Sequence, residues 1–373
     1  MKVVIAIDSF KGSMTSMEAG NAAKKGILAA KPDAEVCLSP LADGGEGTVD
    51  ALIEGLGAEK IPVTVAGPLG EKVSCYYGFL EETKTAVMEM ASAAGITLVT
   101  KKDPLRASTY GVGEMIADAL KRGCKNFMIG IGGSATNDGG IGMLKALGFE
   151  FFDEDGNDVG EGAAALVKIE VIRTENKNPL LSGAKFQIAC DVKNPLCGKQ
   201  GATYIFGPQK GVTEEQKEQV DEAMRHYADV TKESLDCDFA DCEGAGAAGG
   251  LGYAFLSYLA GELIPGVELI LQATGLEEKM KNADVVVTGE GRLDAQTVMG
   301  KAPVGVAALA KKYNAKVIAF AGSVAPEASV CNQAGIDAFF PIVRGVTTLE
   351  EAMKKENAME NIAATAEQVF RLL

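Results

Sequence analysis

The stretch NFMIGIGGSATNDGGIGMLKAL at 126–147 constrains this chain more than any other. Its short apolar run, Phe127–Ile131, reads as a buried strand. The run breaks at Gly132-Gly133 into the polar loop Ser134–Asp138, and Gly139-Gly140 then open a helix through Leu147. A strand feeding a glycine loop feeding a helix is suited to binding anions. Glycines admit backbone N–H groups to a ligand, and a helix N-terminus contributes about half a positive charge. Ser134, Thr136 and Asn137 add neutral donors, and Asp138 adds a carboxylate suited to a metal or a proton. A glycine-rich turn can also serve packing alone. Gly130-x-Gly132-x-x-Ala135 fits a loose dinucleotide fingerprint as well, with acidic residues ~20 positions on. The dense polar cluster Thr136-Asn137-Asp138 favours direct ligand chemistry over cofactor docking.

On either side of this stretch the hydrophobic pattern has two rhythms. Near the N-terminus, Val3–Ile7 and Ala34–Leu38 are apolar strands separated by a helix from about Ser16 to Ala30, and a second helix runs to about Leu56. The C-terminal third repeats the rhythm, with strands at Asp284–Val287, Lys316–Phe320 and Ala338–Ile342 and a helix from Pro303. The closing segment Leu349–Leu373 is an amphipathic helix with a break near Asn357. Between them, Ile61–Val65, Val73–Phe79 and Thr85–Met90 alternate and are separated by turns, which predicts antiparallel pairing. Two N-terminal strands, or three C-terminal ones, are too few for a domain; together they make five parallel strands with helices on both faces. The predicted fold class is therefore α/β in two domains. A discontinuous, doubly wound parallel-sheet domain takes 1–66 and 283–373, an inserted mixed α/β domain takes 67–282, and the active site is expected in the cleft between them.

Size agrees with two domains: 373 residues is long for one core. The net charge of −15 makes nucleic acid and anionic membrane surfaces poor partners, so an anionic substrate needs local Lys, Arg, backbone donors or a divalent ion. Eight scattered cysteines form no C-x-x-C and there is one histidine, which argues against zinc and against disulfides. Met1-Lys2 leads directly into a strand, and no apolar run reaches ~18 residues. A cytoplasmic protein is expected.

The residues suited to catalysis gather in loops at predicted strand ends: Asp8, Lys11, Asp43, Glu46, Asn137, Asp138, Asp191, Asn194, Glu290, Asp294 and Lys301. The set has many carboxylates, a few cations and no Ser–His or Cys–His arrangement. It suits Mg²⁺-assisted phosphoryl transfer, in which a protein positions groups and neutralises charge. Walker A and protein-kinase motifs are absent. Gly244-x-Gly246-x-x-Gly249 has no strand before it and reads as a loop entering the helix Leu251–Ala260.

Several of these stretches resemble the bacterial type I glycerate kinases (glycerate 2-kinase). They are Asp8-Ser9-Phe10-Lys11-Gly12-Ser13, Ala42-Asp43-Gly44-Gly45-Glu46-Gly47-Thr48, Gly132–Gly140, Cys190-Asp191 with Asn194–Gly198, Phe206–Gly211, Gly246–Gly250, and Thr288–Gly291 with Asp294, Gln296-Thr297 and Gly300-Lys301. The match runs colinearly along the whole chain. The resemblance implies ATP-dependent phosphorylation of D-glycerate with Mg²⁺, usually to 2-phosphoglycerate, and a flavodoxin-like discontinuous domain. It implies a small-molecule partner rather than nucleic acid or membrane, and leaves a homodimer open.

Chemistry then suggests roles. The glycerate carboxylate needs a cation, for which Lys11 and Arg292 lead, with Asp8, Ser9 and Asp43 beside them as substrate-binding residues. Asp191 is favoured as partner of the attacking hydroxyl, with Lys11 and Asp294 also catalytic. Gly132, Gly133, Ser134, Thr136, Asn137, Asp138, Gly44 and Gly45 are expected around ATP, and Asp43, Glu46 and Glu290 around the metal. Either glycine loop is also suited to glycerate. The rival from another class is a nicotinamide dehydrogenase using Gly130–Ala135, which lacks a proton-transfer residue because His226 lies on a polar helix. A non-enzymatic binding protein is the third alternative.

Overall fold

The computed structural model describes residues 1–42 and 48–373. Its strands, in chain order, are β1 (Lys2–Ile7), β2 (Glu35–Leu38), β3 (Glu59–Ala66), β4 (Lys72–Leu80), β5 (Thr85–Glu89), β6 (Asn126–Gly130), β7 (Glu150–Phe152), β8 (Val171–Arg173), β9 (Lys185–Ala189), β10 (Glu262–Ile264), β11 (Val285–Leu293), β12 (Lys316–Val324) and β13 (Ala338–Pro341). The chain divides into two compact units. One comprises Met1–Asp43, Asp50–Gly57 and Val267–Leu373, the other Gly44–Val49 and Ala58–Gly266.

The first unit is built on a five-stranded sheet, parallel throughout, in the order β13-β12-β11-β1-β2. The five strands read from the sequence thus share one sheet although some 230 residues or more separate the two groups, and their order is the doubly wound, flavodoxin-like one. β1 is buried along almost its whole length, as a central parallel strand requires. Val3, Ile5 and Ile7 project into a core with Ala19, Ala23 and Ile27 of the helix Ser16–Ala30 and Ile362, Ala366 and Phe370 of the helix Lys355–Arg371. Those two helices approach closely at Gly26, where a Cβ would lie 1.9 Å from the Ala363 carbonyl oxygen. Thr15 starts the first helix with a reciprocal capping box to Glu18.

The second unit holds a six-stranded mixed sheet, β10-β9-β6-β5-β4-β3, and the small hairpin of β7 and β8. β3, β4 and β5 are antiparallel neighbours as the alternation predicts, but β5 also pairs in parallel with β6. β3 pairs with β4 from end to end, so residues 59–66 belong with this sheet and not with a first domain ending at 66. The helices Gly266–Ala273 and Leu276–Met280 fall almost wholly in the first unit, ahead of the sequence boundary at 283. The closing segment breaks at Lys354 rather than near Asn357. Asn357 Nδ2 instead donates to the Glu351 carbonyl oxygen (2.8 Å), satisfying an acceptor at the end of the preceding helix. No helix among the described residues is long and apolar enough to cross a membrane.

Candidate active site

In the first unit, β1 stops at Ile7 while β11 and β12 run on together. Beyond the last β1 pair, Ile7↔Gly289, the ladder continues as Glu290↔Ala321, Arg292↔Ser323 and Leu293↔Val324. The sequence shows Thr288–Leu293 as a polar glycine loop; pairing with β12 makes it strand. Glu290 and Arg292, two apart, consequently share one face. Where β1 ends, Asp8 is buried and its Oδ1 accepts the Ser9 backbone N–H at 2.6 Å. Lys11 stands exposed on the turn Phe10–Met14, which the left-handed Gly12 (φ 78°) permits.

These groups line a cavity of about 660 Å³ with Asp294 and Lys301. Glu290 Oε1 accepts the Thr297 hydroxyl at 2.7 Å, and its Oε2 lies 3.7 Å from Lys301 Nζ. Asp294 sits 3.9 Å from the same ammonium and 3.5 Å from Arg292 Nε. Burial pushes the Glu290 carboxyl up from its ordinary pKa, while Thr297 and Lys301 pull it back. The cavity also has an apolar part, including Phe10, Ile342, Leu349 and Met353. The strand order reverses between β1 and β11, so this cavity occupies the topological switch point, the usual ligand position in doubly wound sheets.

In the second unit, β6 and β9 are adjacent and parallel, with Gly130 opposite Ala189. Their carboxyl ends place Gly132, Gly133 and Ser134 with Asp191 around a cavity of about 400 Å³. Asp191 is exposed and its Oδ1 accepts the Gly266 N–H at 2.9 Å. Lys210, from the helix Ala202–Lys210, lines the same cavity although only 2% exposed; its Nζ donates to the Thr136 carbonyl oxygen at 2.7 Å. Burial lowers its pKa to about 7, with Asp138 pulling the other way. Lys210 is absent from the site residues expected from sequence, although the Phe206–Gly211 stretch that holds it is among those resembling the family.

Thr136, Asn137 and Asp138 of the Gly132–Gly140 loop are fully buried and line neither cavity. Asp138 accepts from the backbone N–H and the hydroxyl of Thr109, both at 2.8 Å, and from the N–H groups of Gly140 and Gly142. Burial raises its pKa against those hydrogen bonds. With its oxygens engaged in four contacts it braces the loop. Asn137 Nδ2 donates to Thr203. The helix that follows, Ile141–Ala146, is six residues long, too short for the dipole-based anion site envisaged. Facing the loop is a left-handed run, Ala248, Gly249 and Gly250 (φ 53°, 71° and 90°), ahead of the helix that begins at Leu251. Gly249 packs so closely that a Cβ there would meet the Thr136 carbonyl oxygen at 2.2 Å.

Asp43, Gly44, Gly45 and Glu46 lie outside the described residues. Among the described residues no group of three His, Cys, Asp or Glu side chains is placed to hold a metal ion. His226 Nε2 contacts the Ile169 carbonyl oxygen at 2.7 Å, in keeping with a packing role. All eight cysteines are free thiols, and burial raises the pKa of Cys190 beside the second cavity, which makes it a poor nucleophile.

Ammonium, guanidinium and carboxylate groups thus line cavities at the carboxyl ends of parallel strands in an α/β fold. Residues 3–373 match the glycerate kinase family. The chain is 45% identical over 371 residues to the glycerate kinase of Bacillus subtilis (strain 168), covering 99% of this chain and 97% of that protein. It is also 45% identical over 372 residues to the glycerate 2-kinase of Escherichia coli (strain K12), covering 98% of each. A crystal structure assigned to glycerate kinase 2 of Salmonella typhimurium LT2 superposes with a TM-score of 0.91 at 43% identity, covering 99% of this chain and 97% of that one. The chain belongs to the glycerate kinase family. Nothing in the structure or in these relatives supports the dehydrogenase alternative.

Proposed function

We propose that the chain transfers the γ-phosphoryl group of ATP to the 2-hydroxyl of D-glycerate, with Mg²⁺. The observation that carries this is the family match over residues 3–373, in a chain whose Lys11, Arg292 and Lys301 share one cavity with Asp8, Glu290 and Asp294. Phosphoryl transfer needs little covalent chemistry from a protein. It needs donors against the phosphate oxygens and a hydroxyl held in line with the phosphorus. The three cations supply the first requirement. Asp191 supplies the second, accepting the hydroxyl proton as the oxygen–phosphorus bond forms.

The residues fit a magnesium ion in one respect. Lys301 lies within 4 Å of both Glu290 and Asp294, so this carboxylate pair already surrounds one positive centre. Mg²⁺ is commonly held by one or two carboxylates together with substrate phosphates. Glu290 and Asp294 would hold it, with Asp43 and Glu46 as further proposed ligands, and when bound it would neutralise triphosphate charge.

The 2-position is favoured by the E. coli relative, which is named a glycerate 2-kinase. Phosphorus NMR of the product tests it without separation. Phosphorus on the 2-oxygen couples to a single carbon-bound proton and gives a doublet, whereas phosphorus on the 3-oxygen couples to two and gives a triplet. A triplet refutes the assignment, and no D-glycerate-dependent ADP release from folded protein with Mg²⁺ refutes the reaction.

A further inference from the structure

We infer that the two cavities divide the substrates, the nucleotide binding in the first unit at the β1–β11 switch point and glycerate in the second unit between Asp191 and Lys210. This rests on the kinase reaction proposed above and reverses the roles expected from the sequence, where Lys11 and Arg292 hold glycerate and the Gly132–Asp138 loop holds ATP.

Three observations support the division. Size is the first: about 660 Å³ suits a base, a ribose and a chain of phosphates, and about 400 Å³ is ample for a three-carbon acid. Charge is the second. A triphosphate needs several cations, and Lys11, Arg292 and Lys301 converge on the first cavity. A single carboxylate needs one, and Lys210 is the cation lining the second. When protonated its nitrogen has three donors, of which one is on the Thr136 carbonyl oxygen, so that form has capacity for a carboxylate oxygen.

Surface chemistry is the third. Leu349 is 76% exposed and Met353 37% exposed at the mouth of the first cavity, on the short helix Leu349–Met353. Apolar side chains left uncovered beside a cluster of cations match an adenine ring followed by phosphates. Glycerate has no apolar surface to offer them. In the second cavity the Asp191 carboxylate is within reach of a small hydroxy acid held by Lys210. The burial of Thr136, Asn137 and Asp138 removes the polar side chains that a phosphate loop there would use.

The experiment pairs variants with separate ligand readouts. Leu349→Glu alters an exposed side chain and is expected to fold; Lys210→Met removes the buried ammonium, and its fold is checked by circular dichroism. MgADP binding is measured by calorimetry, and the KM for D-glycerate at saturating MgATP. Leu349→Glu is expected to weaken MgADP at least ~10-fold and leave the KM for D-glycerate within about twofold. Lys210→Met is expected to do the opposite, raising that KM at least ~10-fold while MgADP binding stays within about twofold. The reverse pattern, or unchanged MgADP affinity in Leu349→Glu, overturns the division while leaving the reaction standing. If Lys210→Met fails to fold, the Leu349→Glu result decides alone. Absence of both MgADP binding and D-glycerate turnover in the unaltered chain overturns the reaction and the division together.

Discussion

Lys210 Nζ and the carbonyl oxygen of Thr136, 74 residues apart, are joined by a 2.7 Å hydrogen bond in the interior of the second unit. The bond ties the helix carrying Lys210 to the loop after β6. It also leaves an ammonium where water scarcely reaches, and stability should depend on pH as a result. The folded state gives up this proton near pH 7, whereas the unfolded state keeps it to about 10.5. Between those values the unfolded state binds more protons, so this group makes stability rise with pH. Urea unfolding from pH 6.5 to 9.5 should show a rise in the unaltered chain that is missing from Lys210→Met. Parallel pH curves for the two proteins would show that the lysine is not desolvated in solution.

Lys11→Ala tests the cation at the end of β1. Losing one preorganised electrostatic group typically removes about 2.7–4 kcal/mol of transition-state stabilisation. A fall in kcat/KM of ~10²–10³ is expected, with the KM for D-glycerate little changed. A variant with near-normal kcat/KM would make Lys11 a solvated surface lysine.

Asp191→Asn keeps the shape of the side chain and removes its charge. General-base help in phosphoryl transfer is worth ~10²–10⁴-fold, so kcat should fall by about that factor while the KM for ATP stays put. If added Mg²⁺ restores the rate, Asp191 is a metal ligand and the hydroxyl partner is another residue, Asp294 or Asp43 first among them.

Gly249→Ala probes the left-handed turn. A methyl there meets the Thr136 carbonyl oxygen at 2.2 Å, on a backbone with φ of 71°. The variant should lose about 2–3 kcal/mol of stability, toward the upper end for single substitutions. Wild-type stability by urea unfolding would mean that the loop yields.

Much of this architecture is legible before any coordinates. The central strands of the parallel sheet, such as Val3–Ile7 and Lys316–Phe320, are largely buried on both faces, so they appear as apolar runs, and the βα rhythm gives the sheet. Site side chains are harder to read, because a polar residue in a glycine loop has the same letters whether it faces a ligand or its own backbone. Asp138 shows this: four donors from its own loop and from Thr109 take a carboxylate that composition alone assigns to chemistry. Glu290 and Arg292 show the converse, since strand pairing with β12 is a long-range fact that local polarity hides. The burial of Lys210 is hidden for a related reason: it is decided by the packing of distant segments, although its glycine-flanked stretch can be read.

The insertion also has a consequence for how the chain is made. β1 lies between β2 and β11, and its pairing with β11 joins residues 282 positions apart, as Lys2 and Asp284 also are. At ~5–20 residues per second a ribosome takes roughly 15–60 s to cover that distance. Over that interval the apolar strand Lys2–Ile7 has been synthesised but lacks its neighbour on one side. The inserted unit, whose strands all lie between residues 59 and 264, can meanwhile close its own sheet. A segment made well before its partner is thus among the last to be completed, and nascent chains stalled before residue 285 should present β1 to chaperones or to one another.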